Sequence, residues 1–309
     1  MTKNKIDLMN EIERGDSNKI AREYIESLLI ETRHIDAKVP STELELYGTS
    51  LKTPVMSAAF SHLYKLADDG MCEMARGMKR AGAISWVGMG SAKELKSIIR
   101  ENPNTIKIVK PHADNKLILD EIRQAEEAGA IAVGMDIDHV FTKDGGTDGF
   151  EGTKMAPKSM DELALFVQLT KLPFIVKGVL SESDAQKCVQ IGAGGMVVSH
   201  HHGLMDYAIP PLMVLPDIAS IADGKMPVFV DCGISSGLDA FKALALGATA
   251  VCAGRSLIPI LQEKGAKGIA QEMNAITKQL AGAMAKTGCA SISKITPDII
   301  WTRTGRMTV

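Results

Sequence analysis

The chain has 309 residues, 45% hydrophobic and 23% charged, with a net charge of −2. That balance describes an ordinary globular protein and gives no reason to invoke nucleic acid or a membrane surface as its main partner. The five scattered cysteines, Cys72, Cys188, Cys232, Cys252 and Cys289, form no CxxC pair and argue against a disulfide framework or a structural zinc site.

The N-terminal stretch MTKNKIDLMNEIERGD mixes charges and lacks the apolar core of a secretion signal. No apolar run approaches the roughly 20 residues needed to span a bilayer, so a cytoplasmic enzyme is expected. Residues 1–50 read as a helical lead-in followed by STELELYGTSL, a short β element closing the bottom of a barrel. Eight apolar runs with strand character follow: PVMSAAF from Pro54, AISWVG from Ala83, TIKIVK from Thr105, IAVGMDI from Ile131, PFIVKGV from Pro173, GMVVSH from Gly195, PVFVDCG from Pro227 and AVCAGR from Ala250. Each is continuous rather than alternating, as parallel strands covered on both faces require.

Helical periodicity fills the gaps. Met71, Met74, Ala75 and Met78 share one face, as do Ile118, Ile122 and Ala125, and Met160, Leu163, Ala164 and Val167. Gly82, Gly129, Gly192 and Gly247 stand where helix C-caps need a left-handed residue. Residues 268–284, with Ile269, Met273, Ile276 and Leu280 on one face, read as the last barrel helix. Residues 142–152 (TKDGGTDGFEG) read as a mobile, solvated loop after strand four. Eight alternations without a long break predict a single (β/α)8 TIM barrel domain spanning 51–309, preceded by the helical extension.

In such a barrel, chemistry belongs where strands end. Those positions carry Asp136, Asp138 and His139 after strand four, Lys177 after strand five, and Ser199, His200, His201 and His202 after strand six. Asp231, Cys232 and Gly233 follow strand seven, and Gly254 and Arg255 follow strand eight. Gly233 and Gly254 let backbone N–H groups approach an anion, and Arg255 adds a charge-assisted donor, so a phosphate site is expected there; the alternative is a pair of tight turns beside a surface arginine. Lys177 either points into the barrel mouth, where it stabilises negative charge, or snorkels to water. Consecutive residues leaving a strand point in different directions, so the three histidines do not predict a metal site. One of them as general base, oriented by Asp138, is the better reading. The methionines read as core filler, and Cys232 as structural.

Several segments resemble the FMN-dependent α-hydroxy acid oxidases and dehydrogenases. LPFIVKGVLSESDAQKCVQIGAGGMVVSHHHG is similar to the family's flavin-contacting lysine segment and its S-N-H-G-G-R-Q-L-D histidine motif. PVFVDCGISSGLDAFKALALGATAVCAGRS resembles its phosphate segment, D-G-G-I-R-R-G followed by G-R, and MAKTGCASISKITPDII its closing M-x-x-T-G segment. Weaker similarity runs back through PVMSAAF to STELELYG. The resemblance implies FMN as cofactor, with Lys177 near the flavin N1 and O2 atoms and Ser199 on the flavin. It puts Asp231, Gly233, Gly254 and Arg255 at the ribityl phosphate end, and Ala58 and Ala59 along the isoalloxazine. His201 becomes the base, paired with Asp138, and a homotetramer acting on a small molecule is implied.

The departures concern the substrate. The family's arginine after the histidine motif is replaced by Leu204 or Met205 in HHHGLMD, and a second arginine is absent from DHVFTKDGG. The tyrosine and glutamine around strand three give way to IKIVKPHAD, which offers Lys110 and His112. Ser235 and Ser236 occupy the R-R positions. An oxidoreductase acting on something other than a simple 2-hydroxy acid is therefore expected, with Lys110, His112, Lys154 or His202 available for recognition. The alternatives are a flavin-dependent isomerase or reductase, a flavin-binding protein with decayed catalysis, or a flavin-free barrel holding another phosphorylated ligand.

Overall fold

The computed structural model describes residues 15–150 and 152–307; the first part of the expected lead-in, residues 1–14, lies outside the described residues. Helix α1 (Ser17–Ser27) follows, started by Asp16, whose carboxylate accepts the Asn18 N–H and so satisfies one of the helix's orphan donors. Ala21 and Ile25 form its buried stripe. Next, Leu44–Leu46 and Thr49–Leu51 pair as an antiparallel hairpin. Its two turn residues, Tyr47 and Gly48, both have positive φ (49° and 73°), the conformation that matches the twist of a two-residue hairpin. Leu46 and Leu51 are buried against the barrel interior, and the Tyr47 hydroxyl donates to the Gly194 carbonyl at 2.8 Å. The hairpin thus plugs the barrel at its N-terminal end, as the sequence predicts.

Among the described residues, eight parallel strands close the barrel: β1 in two pieces (Val55–Ser57 and Ala59–Phe60), β2 (Ser85–Val87), β3 (Thr105–Val109), β4 (Ala132–Asp136), β5 (Phe174–Val179), β6 (Gly195–Val198), β7 (Val228–Val230) and β8 (Ala250–Ala253). Sequential strands are neighbours throughout. The run PVMSAAF is not one strand: it breaks at Ala58, its lower piece pairing with β8 and its upper piece with β2. The Ala58 N–H still donates to Ala253 O at 2.7 Å. One strand therefore serves both ends of the sheet and closes it.

Each strand is followed by a helix: α2 (Gly70–Ala81), α3 (Ala92–Glu101), α4 (Asn115–Ala128), α5 (Met160–Leu169), α6 (Glu182–Gln190), α7 (Pro211–Ala222), α8 (Gly237–Ala245) and α9 (Leu257–Lys286). Ser159 and Glu162 form a reciprocal capping box on α5. Gly82 and Gly129 end α2 and α4 in the left-handed conformation expected of them. The stretch 268–284 is the second half of α9, which breaks direction at Gly265. No helix among the described residues is long and apolar enough to cross a membrane.

Alternation along the strands sorts side chains between two cores. Val133, Met135, Phe174, Val176, Met196, Val198, Val228 and Val230 face the helices. Ile106, Ile108, Ala132, Ile175, Val197, Phe229, Ala250 and Cys252 face the barrel axis. Trp86 packs edge-on against Phe229 there, with ring centroids 5.1 Å apart. Space is tight: a Cβ on Gly134 would lie 2.3 Å from Ile175 O.

Of the loop expected at residues 142–152, residues 142–147 are exposed to solvent. Gly149–Phe150 pairs with Thr153–Lys154 in a short hairpin. The Ala113 and Ala156 N–H groups bond to Lys154 O and Pro111 O, tying this excursion to the segment after β3.

Candidate active site

Counting on by two from the inward-facing core residues gives the top layer of the barrel: Lys110, Asp136, Lys177, Ser199, Asp231 and Gly254. The apolar core of the barrel thus gives way to an ionic layer. Lys110 Nζ lies 2.7 Å from Asp136 Oδ2, Lys177 Nζ 3.2 Å from Asp136 Oδ1, and Lys177 Nζ 3.5 Å from Asp231 Oδ2. Signs alternate around the ring, so four buried charges sum to zero. Burial pushes the Asp136 and Asp231 carboxyls up, but Lys177 in both cases, helped by Lys110 at Asp136, outweighs it and holds them below the usual range. Burial likewise opposes the charge on Lys177, and Asp136 and Asp231 raise its pKa well above the ordinary value. At 6% exposure, Lys177 points into the mouth of the barrel and does not snorkel out.

Asp138 lies beyond β4 and folds back over β5. Gly178 permits this, since a Cβ there would lie 2.4 Å from the Asp138 carboxyl carbon. Asp138 Oδ1 lies 2.9 Å from His201 Nδ1. A carboxylate on Nδ1 favours the proton there and turns Nε2 outward as an acceptor. His139, whose ring is 5.3 Å from that of His201, pairs instead with Asp148 at 2.9 Å; burial lowers its pKa. The three histidines after β6 do diverge. His201 and His202 have left-handed φ of 47° and 58°. The amides of residues 201, 202 and 203 turn to side chains: His201 N donates to Ser199 Oγ, His202 N to Cys232 Sγ and Gly203 N to His200 Nδ1. Asp136, Asp138 and His201 together have metal-ligating spacing. Both Asp136 oxygens, however, already face lysine ammonium groups.

A cavity of about 460 Å³ opens above this layer. Ala58, Ala59 and Lys177 line it, as do His200, His201, His202, Asp231, Gly233, Gly254 and Arg255. Ser199 is buried beneath it and holds the His201 amide. The Cys232 thiol donates to Asp231 Oδ1 at 3.0 Å, and burial followed by Asp231 raises its pKa, so it is no nucleophile. Sequence reasoning missed Asn18, Ala21 and Arg22 of α1, which also line the cavity.

The substrate candidates from β3 fare differently. Lys110 is spent on Asp136. His112 lines a separate cavity of about 650 Å³ with His62, Glu94 and Asp120, and its Nε2 sits 3.0 Å from Glu121. Lys154 is exposed on the short hairpin. Neither belongs to the His201 cavity, because proline at 111 turns the chain away from the barrel axis before His112.

The donor set fits a flavin mononucleotide. Arg255 is exposed at the cavity and makes no salt bridge to any described residue, leaving its charge for an anion. His200 Nε2 is a buried polar atom without a hydrogen-bond partner among the described residues. Lys177, also lining the cavity, supplies a cation fixed by Asp136 and Asp231.

Fold and site define an FMN-dependent barrel enzyme. Residues 9–159 and 142–302 match the family model for FMN-dependent dehydrogenase, and the chain belongs to that family. It is 29% identical over 301 residues to a 2-hydroxyacid oxidase of Dictyostelium discoideum, covering 86% of this chain and 77% of the relative. An L-lactate oxidase of Lactobacillus jensenii is 30% identical over 289 residues, covering 83% and 70%. The crystal structure of mandelate oxidase superposes with a TM-score of 0.85 at 27% identity, over 95% of this chain and 91% of that one. A mandelate oxidase variant carrying the C4a-OH-FMN adduct gives 0.85 at 28% identity, over 95% and 92%. The chain is thus an FMN-dependent oxidoreductase of the 2-hydroxyacid oxidase type.

Proposed function

We propose that the chain oxidises the hydroxyl-bearing carbon of a small molecule other than a simple 2-hydroxy acid, with His201 as base. The observation carrying this is the His201 imidazole, which lines the cavity with Nδ1 fixed by Asp138 and Nε2 left for substrate. FMN supplies the two-electron acceptor. Lys177, Ser199, Ala58 and Ala59 would hold its ring system, and Asp231, Gly233, Gly254 and Arg255 its ribityl phosphate end. As the C–OH becomes C=O, His201 Nε2 would take the hydroxyl proton, and bound FMN would supply the acceptor for the two electrons and the second hydrogen. Asp138 stabilises the imidazolium so formed. Lys177 stabilises negative charge accumulating beside it, in a site dry enough for that charge to matter.

The missing carboxylate clamp argues for the substrate class. Among the described residues, the guanidinium groups lining the cavity are those of Arg22, which donates to Gly233 O, and Arg255, next to Gly254. Lys110 and Lys177 are committed to carboxylates. A 2-hydroxycarboxylate would forgo charge-assisted bonds worth about 1.5–3 kcal/mol each. His202 is the remaining candidate for recognition near the base. Family membership also supports one FMN-binding unit assembled as a homotetramer, which light scattering tests.

Anaerobic bleaching of the bound flavin by a panel of alcohols and hydroxy acids tests the reading. Non-acid alcohols should bleach it faster than 2-hydroxy acids. His201→Asn should slow bleaching by about 10²–10⁴-fold while FMN stays bound. Unchanged bleaching in that variant removes His201 as base. Turnover seen only with prereduced flavin would favour an isomerase or reductase on the same barrel.

A further inference from the structure

We propose that Arg22 of α1 is a phosphate-binding residue of the cofactor site, supplying from the lead-in helix the second guanidinium that the serines at 235 and 236 do not provide. The inference rests on the FMN reading of the cavity. Arg22 lines the same wall as Ser235, Gly254 and Arg255. Its guanidinium is gripped from two sides, Nε lying 2.9 Å from Glu26 Oε1 and Nη2 2.8 Å from Asp239 Oδ1. Nη1 donates to the Gly233 carbonyl at 3.3 Å, on the turn that follows β7.

The serines are otherwise engaged. Ser235 sends both its N–H and its hydroxyl to Asp239 Oδ2, each at 3.1 Å. The Ser236 hydroxyl accepts the Asp239 N–H and starts α8. Asp239, with 4% of its side chain exposed, is thus the socket that fixes Arg22 over the turn.

The helix itself is held in place. Ser17 Oγ donates to Met205 O at 2.6 Å and accepts the Ala208 N–H at 2.9 Å. Lys242 Nζ donates to Ile25 O at 2.8 Å, and Ala21 and Ile25 are buried. A guanidinium delivered by so tethered a helix loses little freedom on meeting an anion, and its planar fork suits phosphate oxygens. Glu26 and Asp239 together offset its charge, so directed hydrogen bonding rather than net charge carries the contribution. Glu26, 67% exposed, is the more water-screened of the two.

The proposal separates flavins with and without phosphate. Kd values for FMN and for riboflavin are to be measured by flavin fluorescence quenching on the full chain freed of flavin, in the wild type, Arg22→Gln and Arg22→Lys, with thermal melts alongside. Arg22→Gln should weaken FMN about tenfold or more and leave riboflavin unchanged, with Arg22→Lys in between. FMN binding unaffected by Arg22→Gln overturns the proposal. So does an equal loss of FMN and riboflavin, or a lowered melt with the FMN-to-riboflavin ratio preserved, since those mark a structural role. A wild type that binds neither flavin removes the cofactor reading, and this proposal with it.

Discussion

Ile175 and Lys177 stand two residues apart on β5, facing the same axis, yet they belong to different kinds of interior. Ile175 lies in the apolar core of the barrel with Ile108, Val197 and Phe229, where shape alone decides the fit. Lys177 lies in a layer where alternate charges meet at 2.7–3.5 Å. The lower layer tolerates any apolar side chain of suitable volume; the upper one tolerates no change of charge without leaving a buried ion unmatched. One strand register thus delivers stability below and chemistry above, and the boundary is a single step of two residues.

That contrast can be broken at three points. Lys177→Met should have the largest effect, because it strands Asp231 and leaves Asp136 with Lys110 alone: about 3–5 kcal/mol of stability lost by urea denaturation, together with flavin affinity. A variant as stable as the wild type would mean that the ring is not electrostatically coupled. Asp136→Asn should cost less, about 1–3 kcal/mol at neutral pH, because the amide still accepts a bond from Lys110. Its pH dependence is the sharper test. Folding holds Asp136 below the ordinary carboxylate range, so its contribution is present above about pH 4 and fades as pH falls further. The gap between wild type and Asp136→Asn should therefore narrow on acidification; a gap independent of pH would deny Asp136 its ionised role. Ile175→Val should do least, about 0.5–1.5 kcal/mol, with flavin affinity untouched. Loss of flavin affinity there would show that the two layers are not separable.

The strands, most helix ends and the residues at the strand tips were legible, because hydrophobic runs and terminal glycines are local signals. Lys177, Asp138, His201 and Arg255 follow from where a parallel strand stops. The ionic ring was legible only in part. Counting by twos from Ile106, Ala132, Ile175 and Phe229 reaches Lys110, Asp136, Lys177 and Asp231, a signal present in the sequence. Which charges meet, however, depends on the stagger between strands. Arg22 carried no local mark, since an arginine on an amphipathic helix reads as a solvated face until the helix is docked. His112 misled because nearness to a strand end in sequence does not fix direction once Pro111 has turned the chain. The break at Ala58 leaves no trace in composition, because closing a barrel is a demand made by strands far apart in the chain.

The two left-handed histidines after β6 have a mechanical consequence. Backbone of that kind costs a non-glycine residue about 1–3 kcal/mol. It persists here because residues 201–203 send their amides inward to Ser199, Cys232 and His200. The loop is therefore a loaded catch: its tension is met once, at folding, and held by hydrogen bonds to side chains in and beneath the cavity wall. The imidazole arrives at each substrate already aimed, and a glycine at 202 would slacken the catch even as it stabilised the chain.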